Sequence, residues 1–558
     1  MSRPSDHIDS PAPARKGDGT VQPKLGIVGY LRFFWRQLTS MRTALFLLLL
    51  LAIAAVPGSL FPQRSSDPNG VTQYFDEHAK LAPVLDHIQL FDVYTSAWFS
   101  AIYLLLFVSL VGCVVPRTIF HAKALVGQPP RTPAKLERLS AFTAFEIAPQ
   151  QTDAAGKPIT PATAVEAARA LLKRAGYRVR LFDGKDLSVS AERGYLRETG
   201  NLVFHTALIG ILIAVGVGGG FGYTGQKVLV TGQAFANVRL TYDSFSPGRF
   251  FTDSELVPYR IILNKFSAKY EEKNLDAYGQ PIDYTANVTT YNEAGKATKR
   301  VIKVNDPLQI GGNQVYLLGN GYAPTVTVRD KTGKIVYSEP IPFLPQDANL
   351  TSVGIIKVPD GLPVQVGMIA LFYPTASKLA SGALASTHPD LRNPVMSLRV
   401  YKGSLGINGG SPKSVYSLNT DKMTEIAGSD ADTASLQLKP GQTKNLPEGL
   451  GTISFDSAAP KSDPKSVELS VKRFASLDIH RDPTLFWVLF FAVAVVVGLL
   501  TSLFIPRRRV WIKAVEQDDG SIRLEYAGLA RGEDPQLEGA VADIAERHSQ
   551  RLGLRLTP

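Results

Sequence analysis

Residues 197–222 read RETGNLVFHTALIGILIAVGVGGGFG, and past Asn201 one ionisable side chain, His205, interrupts an apolar run. An imidazole there can do three things. It can brace helix packing through a hydrogen bond to a neighbouring carbonyl, relay a proton, or ligate a metal through a neutral ring nitrogen. An ionisable residue inside a membrane span is costly and functional by default. Desolvation favours the neutral ring, which is also the ligating form. His205 lies four residues past Asn201, at the start of the apolar run 202–221, about 6 Å in by helix rise. The residues alone leave all three readings open.

The other candidates for chemistry are few. Cys113 is the only cysteine, so the chain can form neither an internal disulfide nor a multi-thiolate zinc or iron–sulfur site. It sits near the inner end of an apolar run. Arg117 would make its setting electropositive, but membrane burial denies it the exposure a redox thiol needs, so it reads as structural. His78 and His87 fall in a short loop and His121 just beyond an apolar run, and all three read as surface polar groups. His388 and His480 are too far apart in sequence to suggest a metal site. No nucleophile elbow, phosphate loop or paired-histidine spacing is present, so the chain by itself does not read as an enzyme.

A lipid-crossing helix needs roughly 20 mostly apolar residues. Four stretches meet that: 43–61, 97–115, 202–221 and 485–505. The leader before the first is about forty residues, longer than the charged region of a signal peptide, which favours a retained helix. Arg32, Arg36 and Arg42 precede the first run, Arg117 and Lys123 follow the second, and Arg507, Arg508 and Arg509 follow the fourth. The positive-inside rule then places both termini and the 117–198 segment in the cytoplasm, and residues 223–484 outside. The net charge of +11 is explained by this bias. No concentrated basic face with interleaved aromatics suggests nucleic acid.

Residues 1–25, rich in Pro, Ser and Gly, read as a disordered cytoplasmic tail. The 117–198 segment opens on the linker GQPPRTPAK and continues as a small α+β unit. AFTAFEIA, YRVRLF and DLSVSAE read as strands, and TPATAVEAARALLKRAG as a helix with Thr160 as cap, Pro161 in the first turn and Gly176 at its end. Between the third and fourth helices, 223–484 alternates apolar and polar residues between turn signals, the pattern of a large antiparallel β domain, sandwich or open barrel. Residues 506–558 read as a cytoplasmic C-terminal tail. The expected fold is therefore a four-helix membrane protein with a large extracytoplasmic antiparallel β domain and a small cytoplasmic α+β segment.

Five stretches taken in order resemble the ResB/Ccs1 (CcsB) type of cytochrome c biogenesis protein. SMRTALFLLLLLAIAAVPGSLFPQ resembles that family's first helix. FDVYTSAWFSAIYLLLFVSLVGCVVPR resembles the second, with its Ser109, Cys113 and Arg117 spacing, and NLVFHTALIGILI the histidine-bearing third. VNDPLQIGGNQVYLLGNGYAP resembles a stretch of the outer domain, and RDPTLFWVLFFAVAVVVGLLTSLFIPRRRVWIK the fourth helix with its basic exit. One departure is that Arg507 and Arg508 stand where some members read His-Arg-Arg.

The resemblance implies a subunit of the system II pathway in the bacterial cytoplasmic membrane. It implies haem b binding together with a ResC/CcsA-type partner, and outward haem transport for attachment to apocytochrome c. A thioredoxin-like thiol reductant belongs to the same pathway. His205 matches the position of the family's transmembrane haem-ligand histidine, which favours the metal-ligand reading, with the second axial ligand from the partner. The competing reading is a membrane-anchored sensor or scaffold whose β domain binds an external ligand. A solute transporter fits poorly, since four helices without internal repeats lack the usual inverted architecture.

Overall fold

The computed structural model describes residues 26–153, 156–184, 186–407 and 417–554; the tail 1–25 lies outside them. The four apolar stretches are the helices Met41–Leu60, Ala97–Val126, Leu196–Phe221 and Leu485–Phe504, each long and apolar enough to cross a membrane. The second runs eleven residues past the expected end at 115, straight through Pro116. The third begins six residues earlier than expected. A proline interior to such a helix is tolerated because neighbouring groups take up the freed carbonyl.

Ahead of the first apolar helix lies a short amphipathic one, Ile27–Leu38, with no buried residue. The corner joining the two is pinned to the second apolar helix. Ser109 Oγ donates to the Leu38 carbonyl at 2.6 Å and Cys113 Sγ to that of Thr39 at 2.8 Å. Between these contacts stands Gly112, where a Cβ would fall 2.1 Å from the Thr39 methyl. Cys113 therefore acts here as a structural donor. Small residues that let helices approach closely are a hallmark of packing in lipid.

Contacts divide the chain into two compact units. One comprises the residues up to Arg64, Asn69–Ala214 and those from Phe486 onward; the other comprises Ser65–Pro68 and Val215–Leu485. The second unit holds the β region. There, two antiparallel sheets enclose a core of Leu229, Phe235, Ile261, Val288, Val315 and Leu477. Two further sheets enclose a second core around Val326, Phe343, Met368, Phe372, Leu398 and Phe455. The long strands Asn313–Ala323 and Lys472–Arg481 pair antiparallel and carry the chain into the second core and back.

In the first unit, the expected α+β elements form: strands Ala141–Ile147, Arg178–Phe182 and Leu187–Arg193, and helix Pro161–Arg174. Thr160 and Thr163 close a capping box, and Gly176 adopts φ +79° just past the helix. The expectation of a C-terminal tail over 506–558 is corrected. Arg508–Glu516 and Ile522–Ala530 are the central strands of the same five-stranded sheet, between Ala141–Ile147 and Leu187–Arg193. Helix Leu537–Arg551 packs beside Pro161–Arg174 over it. Val189, Val510, Ile512, Leu524, Val541 and Ile544 share one core. The physical reason is burial: Val510, Ile512 and Ala514 recur at the strand period and Val541, Ile544, Ala545 and His548 at the helix period, so both elements have apolar faces that water would penalise.

His548, fully buried, locks the two helices together. Its Nε2–H donates to the Ala164 carbonyl at 2.9 Å and its Nδ1 accepts from the Tyr526 hydroxyl at 2.5 Å. Burial pushes its pKa down to about 4, against a weaker opposing effect from the Ala164 hydrogen bond. The folded domain thus holds a neutral ring that the unfolded chain protonates near pH 6.5. Stability from this site is complete above pH 6.5 and is lost as pH falls toward 4, by up to roughly 3 kcal/mol. Thermal unfolding followed from pH 7 to 4 should show this decline. His548→Gln, which keeps a donor and an acceptor without titrating, should flatten it; an equally steep decline in that variant would exclude His548 as its source.

Candidate functional site

His205 lies nine residues into the helix Leu196–Phe221, about 14 Å along it, deeper than the 6 Å expected from the apolar run alone. Its Nδ1 lies 2.8 Å from the Asn201 carbonyl one turn earlier. A carbonyl only accepts, so Nδ1 carries a proton, and Nε2 is the nitrogen that holds the lone pair in the neutral ring. Among the described residues Nε2 has no hydrogen-bond partner. The ring is half-buried, edge-on to Phe204 with centroids 4.9 Å apart. The bracing hydrogen bond considered from sequence is therefore present, and it leaves the ring's other nitrogen available. This is the common arrangement of a ligating histidine, whose remaining N–H is held by a carbonyl or carboxylate.

The turn carrying His205 is seated against the fourth apolar helix. A Cβ on Gly200 would lie 2.7 Å from the Gly498 carbonyl oxygen, and one on Gly498 would lie 2.6 Å from the Phe204 amide. Both positions demand glycine by close backbone approach.

Below that turn is a polar cluster that the sequence did not disclose. His121 is 5% exposed rather than on the surface as expected. Its Nδ1 meets Glu198 Oε2 at 3.1 Å and its Nε2 the Thr199 hydroxyl at 3.0 Å. Glu198 also pairs with Arg507 and Arg531. Arg507 in turn binds Glu192 Oε1 through Nη2 at 2.6 Å and Nε at 2.9 Å, and Arg509 Nε reaches the same oxygen at 3.0 Å. Tyr195 donates to Glu192 Oε2 at 2.8 Å, and its ring lies 4.9 Å beneath the Arg507 guanidinium. Arg507–Arg509, read from the sequence as the basic exit of the fourth helix, thus lead into a central strand and close a buried charge network. Burial works to raise the Glu192 pKa, but hydrogen bonds from Tyr195 and Arg507 and the charges of Arg507 and Arg509 hold it below the ordinary carboxylate value.

Elsewhere, His78 and His87 are exposed as expected. His388 is buried, its Nδ1 accepting from the Asp390 amide at 3.1 Å, and His480 faces Asp478 at 2.6 Å. Among the described residues no group of three His, Cys, Asp or Glu side chains could hold a metal ion.

This geometry sits in a chain whose residues 41–542 match the ResB-like family. The chain belongs to that family. It is 23% identical over 290 residues to the cytochrome c biogenesis protein CcsB of Prochlorococcus marinus, covering 50% of this chain and 59% of that relative. It is 26% identical over 286 residues to the CcsB of Gloeobacter violaceus, covering 50% and 54%. The chain thus spans less than two thirds of the length of these curated relatives.

Glu198 answers two guanidiniums and an imidazole, and removing one partner of a buried ion pair costs about 3–5 kcal/mol. Glu198→Gln should therefore lower the thermal midpoint of the detergent-solubilised protein clearly more than His121→Gln. Equal midpoints for Glu198→Gln and wild type would mean that water screens the cluster.

Proposed function

We propose that this chain is a haem-binding subunit of the cytochrome c biogenesis machinery, and that His205 supplies one axial ligand to haem b. The carrying observation is the fixed tautomer: Nδ1–H on the Asn201 carbonyl leaves Nε2 as a free σ-donor inside an apolar helix. Bound there, haem iron would take neutral imidazole as a strong-field axial ligand. The names of the relatives, cytochrome c biogenesis protein CcsB, support the pathway.

The second ligand comes from outside the chain in this reading. His121 is the other histidine on an apolar helix, and both its ring nitrogens are engaged by Glu198 and Thr199. The partner is a ResC/CcsA-type membrane protein, so that haem is held between two subunits. With the 223–484 region on the extracytoplasmic side, the pair moves haem outward for attachment to apocytochrome c, whose thiols a thioredoxin-like reductant keeps reduced. The ligation chemistry belongs to the complex.

The experiment is co-purification with the candidate partner, followed by reduced-minus-oxidised absorption spectroscopy. The wild-type pair should carry a low-spin haem spectrum. His205→Ala should lose most of it, and imidazole in the growth medium should restore both the spectrum and c-type cytochrome accumulation. An unchanged spectrum and occupancy in His205→Ala would rule out ligation by this ring.

A further inference from the structure

A cavity of about 360 Å³ opens beside the base of the His205 helix, lined by Pro116, Arg117, Phe120, His121, Glu198, Asn201, Leu202 and Arg531. It begins where the His205 ring is held, since the carbonyl that accepts from His205 Nδ1 belongs to Asn201. One wall is apolar, made by Pro116, Phe120 and Leu202. The other is cationic.

Arg117 is exposed, and among the described residues its guanidinium has no carboxylate partner; its Nη2 rests 2.7 Å from the Met41 thioether. A sulfur is a weak acceptor, and an unanswered cation beside an apolar helix favours an anion. Arg531 is 58% exposed at its side chain and shares Glu198 with Arg507. Across the cavity and the network behind it, Arg117, Arg507, Arg509 and Arg531 face Glu192 and Glu198, an excess of two positive charges. Two acidic groups on an apolar body would balance that excess while covering Phe120 and Leu202.

We propose that this cavity binds the two propionates of a porphyrin, with Arg117 and Arg531 as the carboxylate partners, and so forms a waiting site for haem one turn below His205. The ligand's identity as haem rests on the function proposed above; the match between a dianionic amphiphile and the cavity rests on the charges and shape described here. Guanidinium is the side chain suited to two-point carboxylate recognition. His121, with both nitrogens engaged, supplies wall and not ligand.

The test uses a probe without metal, so its outcome does not depend on whether His205 ligates iron. Metal-free protoporphyrin IX and its dimethyl ester are titrated into the full chain in phosphatidylcholine nanodiscs, with porphyrin fluorescence as readout. The diacid should bind at least tenfold more tightly than the diester. Arg117→Gln, which breaks no ion pair, should reduce that preference severalfold, and Arg117→Gln combined with Arg531→Gln should erase it. Equal binding of diacid and diester, or a preference unchanged in both variants, would overturn the proposal. Loss of diacid binding when phosphatidylglycerol replaces part of the phosphatidylcholine would assign the cations to lipid phosphate and overturn it equally.

Discussion

The contact on which the rest depends is the double use of Arg507. Its guanidinium joins Glu192 at the end of a sheet strand to Glu198 in the first turn of the His205 helix. Glu198 in turn holds His121 on the second apolar helix. One arginine just past the fourth helix therefore ties in the strand–helix junction at 192–198 and, through Glu198, the second apolar helix. Between helices in lipid there is no hydrophobic force to fix their relative positions, since lipid tails are as apolar as leucine. Close glycine contacts and polar links carry that burden. Gly200 against Gly498 sets how near the third and fourth helices come, and the Glu198 network sets how the third helix is rotated and how deep it sits.

The sheet is what makes this arrangement possible. Arg507, Arg508 and Arg509 leave the fourth helix directly into a central strand, flanked on one side by Leu187–Arg193 and on the other by Ile522–Ala530. The strand ending in Arg193 leads within three residues to the helix of His205. Two membrane helices are thus continuous with two neighbouring strands of one sheet. Arg508 is held by Asp534 at 2.6 Å, with a pKa raised first by that hydrogen bond. Gly194 has φ +93°, and a Cβ there would fall 2.1 Å from the Pro506 carbonyl. The junction is therefore narrow as well as charged, and a side chain at Gly194 would pry the two chains apart.

Much of the frame was legible from residue pattern. Long apolar runs mark helices because lipid leaves the backbone no other partner, and Thr160, Pro161 and Gly176 announced a helix by capping chemistry. The anomaly at His205 was visible because charge is rare in such a run. What stayed hidden was hidden for physical reasons. Pro116 and Arg117 look like a helix end, yet the helix continues to Val126 and carries His121 inward. The basic run at 507–509 satisfies the positive-inside rule so well that its second role in a strand was masked. Alternation at Val510, Ile512 and Ala514 was present but short, with Trp511 between them also buried. The partners of Glu198 lie at 121, 507 and 531, and no local pattern in a single sequence links them.

Buried ion pairs are a weak source of net stability, because desolvating both partners offsets much of their attraction. The network at Glu192 and Glu198 is better understood through what it forbids. If the third helix slid by one turn, Glu198, 17% exposed, would lose its guanidiniums. If it rotated, Thr199 would leave His121. Every alternative register leaves a charge or a donor unanswered at a cost of several kcal/mol. The native register sets the depth and facing of His205, whose Nδ1 is held within its own helix on the Asn201 carbonyl. The charge cluster thereby acts as a vernier for a ring that it never touches.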